Sequence, residues 1–340
     1  MNKEVFIGTY TKFGDSKGIY KLVKKAATWS VECVNDIAME NPTYLLANDD
    51  DLYTIVSCKD GSGGIAKYSL TGNNITYQSK LLLPNSGPCH LTFDQTKRYI
   101  ITNHYHMGKI DVFKIGNDDN IKLMQTISHK KYETVENPTA RVHYADFTTD
   151  NKYIIICDLG LDKIFMYPFA EKTGTLSTQA PFIITTAEGA GPRHFTFNKT
   201  NDRIYVLNEL SSTVSTYAIT GGKLQFIAET NPFIQEVKNN SGSAIKLHPN
   251  GEFLYTSQRG KDVISCFKLV DDIPILIENI ATMGRIPRDF AITPTGEEML
   301  VANQESNTIT VFEIETNGKI KFKYAIESIP YPVCIYFREK

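Results

Sequence analysis

One four-residue phrase recurs along the chain: Asn41-Pro-Thr-Tyr, Gly87-Pro-Cys-His, Arg141-Val-His-Tyr, Gly191-Pro-Arg-His, Ser243-Ala-Ile-Lys and Ile286-Pro-Arg-Asp. Each copy opens a short apolar strand pattern, a polar turn and a second strand pattern. The second position falls at Pro42, Pro88, Val142, Pro192, Ala244 and Pro287, with Pro332 as a seventh anchor, so successive spacings are 46, 54, 50, 52, 43 and 45 residues. A regular period in this range builds propellers and solenoids.

The copy at Gly191 shows the unit best. His194-Phe-Thr-Phe alternates as a strand, Arg203-Ile-Tyr-Val-Leu-Asn is a second, Thr213-Val-Ser-Thr-Tyr-Ala-Ile a third, and Leu224-Gln-Phe-Ile-Ala a fourth, with Asn, Asp, Gly and Ser between them. Period-two alternation with such punctuation is an antiparallel meander, and four strands per repeat is a propeller blade. Pro332 is followed by a single strand pattern, Val333-Cys-Ile-Tyr-Phe, whereas Glu4–Tyr10, Gly18–Leu22 and Trp29–Cys33 supply three strands before the first anchor. The expectation is an all-β, seven-bladed β-propeller with four antiparallel strands per blade. It is one domain, 1–340, whose closing blade takes residues from 1–40 and 330–340 and so leaves no open sheet edge. Residues Gln125–Thr139, rich in His, Lys and Glu, read as a surface excursion that explains the longest spacing.

At 340 residues the chain exceeds what one layered core usually supports, which favours radial repetition. A net charge of -2 with scattered charges excludes the basic footprint of a nucleic-acid binder. No stretch approaches the roughly 20 apolar residues of a spanning helix, and no signal peptide is evident, so a soluble cytoplasmic protein is expected. The six cysteines lie far apart without a CxxC pair and read as buried thiols.

In an up-and-down meander, the start of the first strand and the loop after the second share one end of the blade. The residues expected on that rim include His90, Arg141, His143, Arg193, His194, Arg288 and Asp289 from the tetrads. The second loops add Asn103, His104, Asp158, Glu209, Gln258, Arg259 and Gln304. Turns favour Gly, Pro, Asn and Asp for backbone reasons, which Arg and His do not serve. Five of the eight arginines, Arg141, Arg193, Arg259, Arg285 and Arg288, fall at or beside this rim. Guanidinium forks suit a small anion carrying carboxylate or phosphate; bracing between blades is the bland alternative. His143 and His194 offer proton transfer near neutral pH. His129 reads as insert surface. No metal site is expected, and no cofactor, because Gly189-Ala-Gly and Gly61-Ser-Gly-Gly do not lead from a strand into a helix.

Together these segments resemble the seven-bladed propeller lactonase family, which includes propeller-type 6-phosphogluconolactonases and fungal carboxy-muconate cyclases. The resemblance rests on Gly8-Thr-Tyr-Thr, Asn41-Pro-Thr-Tyr-Leu, Gly191-Pro-Arg-His-Phe with Tyr205-Val-Leu-Asn-Glu-Leu, Leu254-Tyr-Thr-Ser-Gln-Arg-Gly and Pro287-Arg-Asp-Phe with Val301-Ala-Asn-Gln-Glu-Ser-Asn. It implies a catalytic set that falls by motif on His143, Arg193, Glu209 and Arg259, with Arg288 adjacent. The third copy departs from the family's Pro-His-x-His pattern by placing Arg141 where its first histidine stands. The implied reaction is hydrolysis of a sugar lactone, most simply 6-phosphogluconolactone. Glu209 or His143 would be general base, Arg193 and His194 would stabilise the oxyanion, and Arg259 and Arg288 would clamp the anion. His90, His104, Arg141 and Gln304 complete the expected substrate contacts. The alternatives are a muconate-type lactonising cycloisomerase, or a non-catalytic propeller whose rim would expose aromatics and Met. The expected partner is a small anionic lactone, with neither nucleic acid nor membrane, and the chain a monomer or weak homodimer.

Overall fold

The computed structural model describes all residues except 1–3, 37–39, 49, 73, 86, 117–119, 138, 180, 234–236 and 339–340, and leaves out the side chains of 33–36. Among the described residues the strands form seven antiparallel sheets, six of them with four strands. Sheets one to six start at Leu45–Ala47, His90–Phe93, Val142–Phe147, Pro192–Phe197, Ser241–Leu247 and Pro287–Ile292. In the seventh, Pro332–Arg338 pairs with Glu4–Thr9, which continues to Gly18–Lys25 and Thr28–Asp36. Glu4 faces Arg338 and Ile7 faces Ile335 across that ladder, and an Arg338–Glu4 ion pair of 2.8 Å reinforces it.

The third sheet differs from the expected four strands. Its outermost strand is broken into Thr175–Leu176 and Phe182–Thr185, both paired with Lys163–Ala170. Pro181, which has no N–H for a ladder, stands at the break.

Second and third strands are buried on both faces, as in Tyr99–His104, whereas fourth strands alternate, as in Ile121–Ser128. Inner strands therefore read as continuous apolar runs and outer ones as half-buried ribbons. The chain divides into two compact units. In the first (Met1–Thr43, His194–Ala218, Phe226–Lys340), the sheets beginning at Ser241 and Pro287 enclose Tyr255, Cys266, Phe290 and Phe312. In the second (Tyr44–Arg193, Ile219–Gln225), sheets two and three enclose Ile101, Val112, Ile156 and Phe165. Fully burying side chains of this size contributes about 1.5–3 kcal/mol each.

Neighbouring sheets are registered by a repeated latch. Asp162, Asp262 and Asn307 each occupy a left-handed position in the loop between second and third strands, with φ of 51°, 53° and 57°. Their side chains accept the backbone N–H of the residue opening the next tetrad: Gly191 at 2.7 Å, Ile286 at 2.9 Å and Tyr331 at 2.9 Å. Those three residues are themselves left-handed, at φ of 65°, 56° and 46°. Glycine accepts this conformation freely; for isoleucine and tyrosine it costs energy that the latch must offset.

The excursion at Gln125–Thr139 is less superficial than the sequence suggests. Ile121–Ser128 completes sheet two, and His129 is fully buried. Its Nδ1 lies 2.8 Å from Asp158 Oδ2 and its Nε2 lies 3.1 Å from the Tyr167 hydroxyl, so the imidazole anchors the segment instead of facing water.

Candidate active site

A second repeated device aims side chains out of the sheets. Val142 pairs with Asp158 and Tyr144 with Cys157, so His143 has no ladder partner between them. Pro287 pairs with Asn303 and Asp289 with Ala302, which leaves Arg288 in the same position. The seventh sheet repeats the slip at Val333. A bulge of this kind re-aims the extra residue while the strand continues. In sheet five the opposing strand runs one residue further than in its neighbours, to Arg259, which faces Ser241. In sheets six and seven it ends at the residue facing the tetrad and the next residue starts the loop, Gln304 after Asn303 and Tyr10 after Thr9. Glu209 takes this place in sheet four. Its predecessor Asn208 donates Nδ2 to Ser215 at 2.8 Å, just as Asn303 donates to Thr310 at 3.0 Å.

In the first unit these positions assemble a compact ionic group. Arg259 donates from Nη2 to Glu209 Oε2 at 3.0 Å and to the Gly242 carbonyl at 3.0 Å. Gly242 in turn donates its backbone N–H to the Glu209 carbonyl at 2.9 Å, so a single residue spaces acid and guanidinium. Beneath them, Gln258 is fully buried and accepts from Asn240 at 3.0 Å, while Asn240 also donates to Ser212 at 2.9 Å. Burial and the neighbouring Arg288 guanidinium push Arg259 below the ordinary arginine range, and the Glu209 carboxylate opposes them. Arg259 Nε is buried without a hydrogen-bond partner among the described residues.

Charge pairing separates this group from the other arginines. Arg98, Arg203 and Arg338 lean on Glu171, Asp272 and Glu4 at 2.8, 2.9 and 2.8 Å. Among the described residues Arg288 has no such carboxylate. Two guanidiniums beside one carboxylate leave net positive charge, which an anionic ligand would neutralise. Asp289 Oδ2 accepts the Ile335 backbone N–H at 2.9 Å. Gln304 starts the loop of sheet six, its backbone N–H bonded to the Ile286 carbonyl at 2.9 Å. His194 is buried at the start of sheet four.

In the second unit, His143 is buried with its ring edge-on to Tyr105 at 5.7 Å, and Arg141 lies over the same tyrosine at 4.9 Å. Arg193 is also buried. The structure gives two expected substrate contacts other positions. His90 is buried between Tyr44 and Tyr144, at centroid distances of 4.4 and 4.2 Å, with Nδ1 2.7 Å from Asn103 Nδ2. His104 is fully buried inside sheet two, its Nε2 3.0 Å from Asp111 and 2.8 Å from Thr102. Both rings are buried among protein groups. Asp158 is likewise occupied, by His129 and by the Arg141 backbone N–H at 2.8 Å. Among the described residues no group of three or more His, Cys, Asp and Glu side chains is arranged to hold a metal ion.

Sequence reasoning did not single out Tyr10, which lies within electrostatic reach of Arg259, although its motif was visible. The signal is positional: it follows the last paired residue of its strand, as Gln304 does in sheet six. Exposed apolar side chains are also present on loops of the first unit: Phe13 (52%), Leu210 (55%) and Met283 (59%). They occur singly, one per loop, as surface apolar residues commonly do.

A family model described as lactonase, 7-bladed beta-propeller, matches residues 4–337. The 6-phosphogluconolactonase of Bacillus subtilis strain 168 is 33% identical, covering 98% of this chain and 97% of that protein. A crystal structure of a protein from Lactobacillus plantarum superposes with a TM-score of 0.91 at 30% identity, covering all of both chains. The periplasmic gluconolactonase of Pseudomonas aeruginosa does so with a TM-score of 0.90 at 25% identity, covering 99% of each.

Proposed function

We propose that this chain, which belongs to the seven-bladed β-propeller lactonase family, hydrolyses the ring ester of a phosphorylated sugar lactone, 6-phosphoglucono-1,5-lactone being the simplest candidate. The observation that carries the proposal is the partly exposed Glu209–Arg259 pair, 3.0 Å apart, with the carboxylate-free Arg288 beside it. The relative from Bacillus subtilis, named a 6-phosphogluconolactonase, supports the choice of substrate.

Three tasks define the reaction: a water must lose a proton as it attacks the carbonyl carbon, the oxyanion must be stabilised, and the ring oxygen must leave with a proton. Glu209 takes the water's proton, with its carboxylate oriented by Arg259. The guanidiniums of Arg259 and Arg288 supply positive charge for the oxyanion and for the substrate's own anionic group. The C–O ring bond then breaks, and the proton held by Glu209 passes to the departing oxygen, leaving a carboxylic acid and a hydroxyl. Because lactones are intrinsically reactive, no covalent nucleophile is required.

The test follows acid release from 6-phosphogluconolactone, above its spontaneous rate, with wild type and Glu209→Gln. The variant is expected to lose roughly 10²–10⁴-fold in turnover, the usual worth of a general base. Wild-type turnover in Glu209→Gln, or no acceleration by the wild type, would overturn the proposal.

A further inference from the structure

The loop that Tyr10 begins carries a cation, Lys12. Tyr10, Phe13 and Tyr331 form an aromatic row with centroid separations of 5.4 and 5.6 Å. The Lys12 ammonium lies over two of these rings, 5.2 Å from Tyr10 and 4.6 Å from Phe13. The loop is pinned at its base: Asn41 Oδ1 accepts the N–H groups of Thr11 and Lys12, each at 3.2 Å, and the Asn41 N–H donates to Thr11 Oγ1 at 2.9 Å. Tyr10 also donates its backbone N–H to the Tyr331 carbonyl at 3.1 Å. The first tetrad, Asn41-Pro-Thr-Tyr, thus serves to hold this loop.

Resting on the lactonase reading, we infer that Lys12 recognises the phosphate of the substrate and so discriminates phosphorylated from unphosphorylated lactones. Three observations carry this. Tyr10 directly follows Thr9, the last ladder residue opposite the bulge of its sheet, as Arg259 follows Gln258 in sheet five, and it lies within electrostatic reach of the Arg259 guanidinium, which places the loop at the edge of the ionic group. Among the described residues Lys12 has no carboxylate partner, so its charge is available to a ligand. The flanking rings restrain the long side chain, lowering the entropy lost when the ammonium meets an anion. A phosphate dianion exceeds the charge that Arg288 alone offsets, and a third cation at the edge of the site suits it.

The experiment measures KM and kcat of the full chain on 6-phosphogluconolactone and on unphosphorylated gluconolactone, for wild type, Lys12→Gln and Lys12→Arg. Lys12 is exposed, so both variants should fold. Lys12→Gln is expected to raise KM for the phosphorylated lactone roughly tenfold, as for loss of one charge-assisted contact, and to leave kcat and the gluconolactone KM nearly unchanged. Lys12→Arg should restore most of the discrimination, and added salt should shrink the wild-type preference. An equal effect on both lactones, or on neither, in an active enzyme would overturn this inference. Wild-type inactivity on both lactones would defeat the underlying reaction instead.

Discussion

Gly242→Ala tests whether the spacing of Glu209 and Arg259 is set by the backbone between them. The Gly242 carbonyl accepts from Arg259 at 3.0 Å and its N–H donates to the Glu209 carbonyl at 2.9 Å. A Cβ at this position would stand 2.9 Å from both Cγ and Cδ1 of Leu207 and 3.0 Å from the Asn208 carbonyl oxygen. Leu207 cannot yield, being fully buried among Tyr205, Val214, Ile245 and Phe267. Gly242 has no positive φ, so the added methyl acts through contact and not through backbone strain. Overpacking of this kind costs about 1–3 kcal/mol. Relief requires the Gly242 backbone to move away from Asn208 by a few tenths of an ångström or more, carrying the Arg259 acceptor away from Glu209. Misplacing a catalytic pair by about 1 Å can cost about 10²-fold in rate. The expected result is a denaturation midpoint lowered by a modest amount, with kcat on the lactone reduced at least tenfold by the displacement. A fully active Gly242→Ala would refute the idea that this backbone segment sets the catalytic geometry, whatever its stability.

Two further outcomes are expected from buried charges away from the site. Glu298 is nearly inaccessible and accepts from Lys24 at 2.6 Å, Lys323 at 2.7 Å and Trp29 Nε1 at 3.0 Å, so Glu298→Ala strands all three donors. Because the lysines are partly exposed, the loss should be about 2–4 kcal/mol in denaturant unfolding, and no measurable loss would contradict the role given to this carboxylate. Acid should weaken the fold through sheet two. Burial disfavours the charge of Asp111, but hydrogen bonds from His104, Lys109 and Thr126 outweigh it and hold the group down at about 2. That stability is present above the ordinary aspartate value of 3.8 and is lost as pH falls toward 2. Burial also keeps His104 below its usual value, so protonating it as pH drops through the ordinary 6.5 favours the unfolded chain as well. Both effects act in one direction, and Asp111→Asn should flatten the lower part of a stability-against-pH curve; an unchanged acid limb would count against it.

The repeat was legible because blade strands are short, regular and bounded by turn residues; the second strand of sheet four, Arg203–Asn208, is bounded as its pattern suggests. The ionic group was legible through Arg usage, since arginine at turn positions has no backbone role to explain it. The histidines were not: His90 and His129 owe their burial to partners distant in sequence, Tyr144 and Asp158, and His104 to Asp111, whose inward side chain on the next strand only the ladder register reveals. Nor were the left-handed residues Ile286 and Tyr331, whose side chains argue against that conformation. Their backbones are held by Asp262 and Asn307, each 24 residues earlier. The bulges at His143 and Arg288 were hidden for a similar reason, as a one-residue slip leaves alternation intact on either side.

The pairing of Glu4–Thr9 with Pro332–Arg338 has a consequence for biosynthesis. Glu4–Thr9 leaves the ribosome well before its ladder partner, so one edge of that strand waits unpaired while the six sheets between them are synthesised. An exposed edge invites pairing with another nascent chain. Closing a contact so distant in sequence is slow. The buried Glu4–Arg338 and Glu4–Lys21 contacts place charge on this strand, a residue type that discourages mispairing until its partner emerges. Polysome density and a concentrated chain should thus lower the yield of folded protein more than the stability of the finished molecule would suggest.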